Sequence, residues 1–217
     1  MLRSEPLHFE YTSGTALDFP GFELVAGEHL LILGASGSGK STWLQLLSGI
    51  RKPKTGNIYY GTRALNVLKG SALDQFRNQH IGIIFQEHAF IPSLSARENL
   101  MLSTPDIPAL ENKAKALGLH HLLNKKPQHL SVGERQRLAI LRCLLRKPQV
   151  ILADEPSSSL DDIHCERVIQ LLLDEAKKLN ASLIVVTHDA RVKPFLKGDS
   201  KDDTPLHCME KPTLPLE

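Results

Sequence analysis

Leu30-Leu31-Ile32-Leu33-Gly34-Ala35-Ser36-Gly37-Ser38-Gly39-Lys40-Ser41-Thr42 is the stretch whose reading decides the fold. The aliphatic run Leu30 to Leu33 has no polar break, which describes a strand buried on both faces, as in a parallel sheet. Gly34 to Ser41 fits G-x-x-x-x-G-K-[ST], and Lys40 to Leu47 reads as a helix, so the loop lies between a strand and a helix. Glycines let such a loop curl until successive N–H groups point inward at phosphate oxygens, and the helix N-terminus adds positive potential. Lys40 is placed to neutralise the β- and γ-phosphates and Ser41 to hold Mg²⁺. Gly34, Ala35, Ser36, Gly37, Ser38, Gly39 and Thr42 complete the expected nucleotide contacts.

Working outward, Ile81–Phe85, Val150–Ala153 and Leu183–Val186 repeat the continuous apolar pattern. They alternate with helical segments at Ala96–Leu102, Glu111–Leu117, Gly133–Arg146 and Ile163–Leu179, the arrangement of parallel strands joined by helical crossovers. More polar stretches at Leu7–Tyr11, Phe22–Val25 and Ile58–Tyr60 read as an antiparallel flank. Ser95-Ala96-Arg97-Glu98 has the pattern of a capping box, and it opens a helical insert of roughly 87–135. The expected fold is therefore α/β, a phosphate-loop NTPase core with a mostly parallel sheet, an antiparallel β flank and a small helical subdomain. One domain covers 1–217, with a loosely ordered tail over 197–217.

Composition excludes several classes. The chain has 217 residues, 41% of them hydrophobic and 23% charged, which is neither disordered nor disulfide-scaffold composition. Twenty-six Lys+Arg against 24 Asp+Glu leave only +2, so no nucleic-acid partner is expected. Arg135, Arg142 and Arg146 read as a solvated basic face. Cys143, Cys165 and Cys208 form no C-x-x-C pair, and the N-terminus shows no export signal, so the expected address is cytosolic. Cys165, Ile169, Leu172, Ala176 and Leu179 fall on one helical stripe, which makes Cys165 a packing residue. Trp43 is likewise assigned to packing. His120, His121 and His129 are read as solvated, not as metal ligands.

Two further features carry chemistry. Asp154 and Glu155 end the Val150–Ala153 strand, where ligands of open α/β sheets bind. Asp154 is the expected Mg²⁺-shell residue and Glu155 the expected base for water. Leu130-Ser131-Val132-Gly133-Glu134 leads into a helix, with Ser131 as its N-cap and the N–H groups of Gly133 and Glu134 as an anion site.

Together these motifs resemble the ATP-binding cassette (ABC) ATPases, whose signature reads L-S-G-G-Q or L-S-G-G-E. Val132 replaces its first glycine, while Ser131 and Gly133 keep the positions that contact phosphate in the family. The resemblance covers roughly residues 7 to 195 and assigns further roles. Gln86 resembles the glutamine that reaches Mg²⁺ and the attacking water and borders the membrane-subunit contact. Ser159-Leu160-Asp161 resembles the loop that crosses to a partner subunit, and His188 resembles the switch histidine that senses the γ-phosphate. Tyr11 resembles the aromatic that stacks on adenine; packing is the other reading for Tyr11 and for Phe9 beside it.

The resemblance implies ATP and Mg²⁺ as cofactors and a two-chain sandwich in which each ATP lies between one chain's phosphate loop and the other's signature. It also implies separate transmembrane permease subunits, a location on the cytoplasmic face, and the lipoprotein-releasing and macrolide-export branch of ATP-binding subunits. A regulatory subunit that binds ATP with little turnover is the rival reading, opposed by Glu155 and His188. A chromosome-maintenance ATPase would need a long coiled coil between Gln86 and Leu130, where only residues 87–129 lie.

Overall fold

The computed structural model describes residues 1–158 and 160–196 and the backbone of one further strand at 206–209. Its strands are β1 (Leu2–Ser4), β2 (Leu7–Glu10), β3 (Ala16–Phe19), β4 (Phe22–Leu24), β5 (His29–Gly34), β6 (Ile58–Tyr60), β7 (Arg63–Ala64), β8 (Ile81–Ile84), β9 (Val150–Asp154), β10 (Ser182–Thr187) and β11 (Leu206–Met209). Its α-helices are α1 (Lys40–Leu47), α2 (Gly70–His80), α3 (Ala96–Met101), α4 (Ile107–Ala116), α5 (Val132–Leu144), α6 (Asp162–Leu179) and α7 (Lys193–Leu196).

The centre is a five-stranded sheet in the order β11-β5-β10-β9-β8, with every pair parallel. Period-two alternation explains why its strands read as unbroken apolar runs. Leu30, Ile32, Leu152, Ile184 and Val186 pack into the core on one face, with Trp43 and Leu47 of α1. Leu31, Leu33, Ile151, Leu183 and Val185 pack into the core on the other, with Cys165, Ile169 and Leu172 of α6. Both faces are buried, so no polar position interrupts the run. The register sets Val186 beside Asp154, Thr187 beside Leu33 and Ile84 beside Ala153. The C-terminal ends of β5, β8, β9 and β10 thus open at one edge of the sheet, which positions the site.

The antiparallel flank is a four-stranded sheet, β4-β1-β6-β7, and a β2–β3 hairpin. Ala96, Leu100, Leu110, Ala114, Leu122 and Leu138 form a third apolar cluster among α3, α4 and α5. The Ser95 capping box is formed in full: its hydroxyl accepts from the Glu98 amide, and the Glu98 carboxylate accepts from the Ser95 amide. Trp43 is fully buried, stacked on Phe19 with ring centroids 5.4 Å apart.

The structure corrects the reading in several places. Helix α2 has no counterpart in it, because a single α2 residue, Phe76, is buried and the hydrophobic stripe is too thin to read. Helix α4 starts at Ile107, not Glu111, because the Asp106 side chain accepts a hydrogen bond from the Ala109 amide and caps the helix there. Strands β1, β3 and β7 also have no counterpart in the reading. Within the expected loose tail, Leu206–Met209 pairs in parallel with Leu31–Gly34 and adds the sheet's edge strand. The rest of 197–217, and Ser159 of the loop expected to cross to a partner, lie outside the described residues. Among the described residues no helix is long and apolar enough to cross a membrane.

Candidate functional site

The loop from Gly34 to Gly39 leaves β5 and opens α1. Gly39 takes φ +96°, a left-handed backbone that favours glycine, and a Cβ there would stand 2.9 Å from Cδ1 of Leu17, so that side chain would have to shift. No side chain caps α1. An uncapped helix start keeps amide donors for an anion. Ser38 is buried, and its hydroxyl has no hydrogen-bond partner among the described residues. A buried orphan of that kind is costly unless something accepts from it or donates to it.

Lys40 is also buried. Its Nζ donates to the carbonyls of Gly34 (2.8 Å) and Ala35 (2.9 Å) and lies 3.5 Å from Oε1 of Glu155. Ser41 Oγ donates to Asp154 Oδ1 at 3.0 Å, joining the helix start to the end of β9. Burial raises the Asp154 carboxyl above its ordinary range; the Ser41 hydrogen bond opposes this, and neighbouring Glu155 adds to it.

Glu155 is buried, 7% exposed. Its φ is +49°, unusual for a residue with a Cβ and a source of local strain. The strain is held by pairing: its amide donates to Val186 O at 2.8 Å, while its carboxylate accepts from Thr187 Oγ1 at 2.7 Å and from the His188 amide at 3.1 Å. His188 Nδ1 lies 2.8 Å from Glu155 Oε1.

These groups surround a cavity of about 260 Å³. Ser36, Gly37, Gly39, Lys40, Ser41 and Thr42 line it together with Gln86, Glu155 and His188. Tyr11, Thr15 and Leu17 also line it. The Tyr11 hydroxyl contacts Thr42 Oγ1, Phe9 meets the Tyr11 ring edge-on at 4.9 Å, and the Arg51 guanidinium lies 5.2 Å over that ring. Gly34 and Ala35 act through the carbonyls that hold Lys40. The structure therefore brings together, in one chain, the expected residues from Tyr11, the phosphate loop, Gln86, Asp154, Glu155 and His188.

Ser131, Gly133 and Asp161 do not line this cavity. They form a second group at the starts of α5 and α6, where a Cβ on Gly133 would come within 3.9 Å of Leu160 and His164. Asp161 caps α6 by accepting from the His164 amide. Ser131 caps α5, but its capping box takes up the Glu134 amide, so the expected free N–H at Glu134 is not free. Val132 is 42% exposed beside them.

Other expectations are corrected. Arg135, Arg142 and Arg146 are half-buried: they donate to Leu130 O, to the carbonyls of His88 and Ala89, and to Asn78 Oδ1. His120 is not simply solvated, since its Nε2 lies 2.7 Å from Glu111. Among the described residues, no group of three or more His, Cys, Asp or Glu could hold a metal ion. Sequence reasoning gave no role to Thr15, Leu17 or Thr187. The only signal for Thr187 was its place beside His188.

Comparison with known proteins agrees with this geometry. Residues 17–158 match the family model described as ABC transporter. The lipoprotein-releasing system ATP-binding protein LolD of Idiomarina loihiensis is 40% identical over 209 residues, 91% of this chain and 92% of that protein. LolD of Hydrogenovibrio crunogenus is 41% identical over 88% of this chain and 89% of its own. Among solved structures, the ATP-binding cassette MJ0796, in a dimeric post-hydrolysis state bound to ADP and Pi, superposes with TM-score 0.79 at 32% identity, covering 88% of this chain and 90% of that one. CbiO1 of Clostridium perfringens, part of the ABC transporter complex cbiONQ, gives TM-score 0.82 at 28% identity over 96% of this chain and 84% of that one. With the Ser36–Thr42 loop, Gln86, Glu155 and His188 lining one cavity, and with relatives aligned over nearly its whole length, the chain belongs to the ABC transporter family as one of its ATP-hydrolysing, ATP-binding subunits.

Proposed function

We propose that the chain drives a lipoprotein-releasing type of exporter, its ATP-bound dimer closing and opening against separate membrane subunits on the cytoplasmic face. The observation that carries this reading is the seat of Glu155, a strained, buried carboxylate held by Thr187 and His188 at the edge of the phosphate-loop cavity. LolD relatives, aligned over some nine-tenths of both chains, supply the branch.

In this account the backbone of the Gly34–Gly39 loop, Lys40 and Thr42 hold the phosphates, while Tyr11 takes the adenine. Ser41 and Asp154, with Gln86 of the same cavity as Ser41, offer hydroxyl, carboxylate and amide oxygens. That hard donor set fits Mg²⁺, a cation that completes its shell with phosphate oxygens and water. When bound, the ion supplies positive charge against the phosphate oxygens. Glu155 orients the attacking water and takes up its proton. His188, half exposed and in contact with Glu155, reports the state of the terminal phosphate to the base.

Ser131, Gly133 and Asp161 serve the site of a second copy, since their own chain places them outside its cavity. For the membrane subunits, a cavity of about 450 Å³ lies beside the Gln86 segment, lined by Arg77, Phe85, Arg142 and Arg146, with Leu102 60% exposed at its edge. An ATP-binding regulatory subunit with little turnover is the alternative. Measured turnover of the purified chain against Glu155→Gln decides between them: loss of roughly 10²–10⁴-fold, the usual contribution of a positioned base, supports the engine. No turnover in the native chain, with nucleotide still bound, supports the regulator.

A further inference from the structure

Arg191 belongs to no motif read in the sequence, yet its guanidinium bridges the segment after His188 and the start of α6. On one side, Nε donates to both carboxylate oxygens of Asp189, at 2.9 and 3.1 Å, and Nη2 donates to Asp189 Oδ2 at 2.8 Å. On the other, Nη1 donates to Asp162 Oδ1, and Nη2 reaches the Leu160 carbonyl at 3.3 Å. Leu160 and Asp162 flank Asp161, and Asp189 directly follows His188.

The contacts continue inward without a gap. The Asp189 amide donates to Thr187 Oγ1 at 3.0 Å, and that hydroxyl donates to Glu155 Oε2 at 2.7 Å. Ser157, from the loop after Glu155, donates to Asp189 Oδ2 at 3.1 Å.

We propose that Arg191 is a positioning residue that couples the Leu160–Asp162 loop to the seat of Glu155, through Asp189 and Thr187. The two arms differ in strength. Asp189 is 11% exposed and grips the guanidinium as a fork, and this pairing holds its carboxyl down at about 2. Asp162 is 87% exposed, so its ion pair is screened and easily exchanged. Arg191 therefore stays with the switch loop and can gain or release the outer loop. A displacement of Asp161 reaches Glu155 as a change in how its carboxylate is held. This rests on the reading of Glu155 as the base and of the Asp161 loop as facing a second copy.

The test uses the purified chain, its ATP turnover measured against ATP concentration, with Arg191→Lys, Asp162→Asn, the double variant, and Glu155→Gln as a control. Lysine keeps a charge on Asp189 but cannot fork to both loops. A coupling role predicts a fall in kcat of roughly 2- to 30-fold in each single variant. KM for ATP stays within about twofold, and the Hill coefficient moves toward one. The double variant is no worse than Arg191→Lys alone, because both changes cut the same link. A purely structural role predicts instead a lowered Tm and additive losses, and that result overturns the proposal. So does unchanged kcat in folded Arg191→Lys and Asp162→Asn. If those variants are neutral while Glu155→Gln is inactive, the coupling fails and the base assignment stands. If Glu155→Gln itself turns over normally, both fall.

Discussion

Nδ1 of His188 lies 2.8 Å from Oε1 of Glu155, and the His188 amide donates to the same carboxylate, so backbone and ring of one residue both hold the other. Lys40 stands 3.5 Å from that oxygen on the other side. One carboxylate thus touches both the lysine proposed to hold phosphate and the histidine proposed to respond to it.

Lys40→Ala and Glu155→Gln are expected to separate binding from chemistry. Removing the Lys40 ammonium takes away the charge facing the phosphates, so nucleotide binding is lost. Glutamine at 155 keeps the volume and two of the contacts, so binding persists while turnover falls. Titration calorimetry with ATP on both variants checks this; equal loss of affinity in the two would contradict the assignment of Glu155.

Much of this site was legible because its residues lie in short, contiguous motifs at strand ends, as with Gly34–Ser41 and Asp154-Glu155. The links between motifs were not. Thr187 and Arg191 act through contacts with residues 29–32 positions away in sequence, and no local spacing announces those. Fold elements followed the same rule. Strand β10 announced itself because both its faces are buried, whereas α2, which buries only Phe76, and β11, at the sheet's edge, left little pattern.

Asp154→Asn is expected to trade function for stability. A carboxyl whose pKa is raised by burial holds its proton more tightly in the fold than in the unfolded chain. Its ionised form therefore costs stability, and that cost grows as pH rises from the ordinary aspartate value through the raised one. Asparagine removes the cost and keeps an oxygen for Ser41. The variant should melt higher than the native chain at pH 7, by roughly 2–4 °C for each kcal/mol recovered, with the gap closing near pH 4. Turnover should be lost. Thermal melts across this pH range check the sign; a lower Tm at pH 7 would contradict it.

Tyr11 should contribute its ring and not its hydroxyl. Tyr11→Phe loses only the Thr42 contact and should bind ATP within about threefold of the native chain. Tyr11→Ala should weaken it by roughly 5- to 150-fold, the range for loss of one stacked base. Inorganic triphosphate, which has no base, should bind both variants equally. An equal loss for triphosphate in Tyr11→Ala would mean that the ring supports the loop instead.

Glu155→Gln with ATP and Mg²⁺ should shift the purified chain from monomer to dimer, because trapped nucleotide bridges one copy's loop and the other's Ser131. Light scattering reads the mass directly. A chain that stays monomeric at millimolar ATP would contradict a self-sufficient sandwich.

The central claim, that each site is completed by the Ser131 of a second copy, is tested most directly by mixing two inactive chains. Lys40→Ala and Ser131→Arg should each be inactive as homodimers. In a two-fold dimer of the two, one site carries both defects and the other is whole. For an equal, freely exchanging mixture about half the dimers are mixed, so about a quarter of native turnover should return if sites act independently. With mixed dimers demonstrated by tagged pull-down, recovery of turnover is the predicted result, and a mixture as inactive as its parents would contradict the shared, independently acting site.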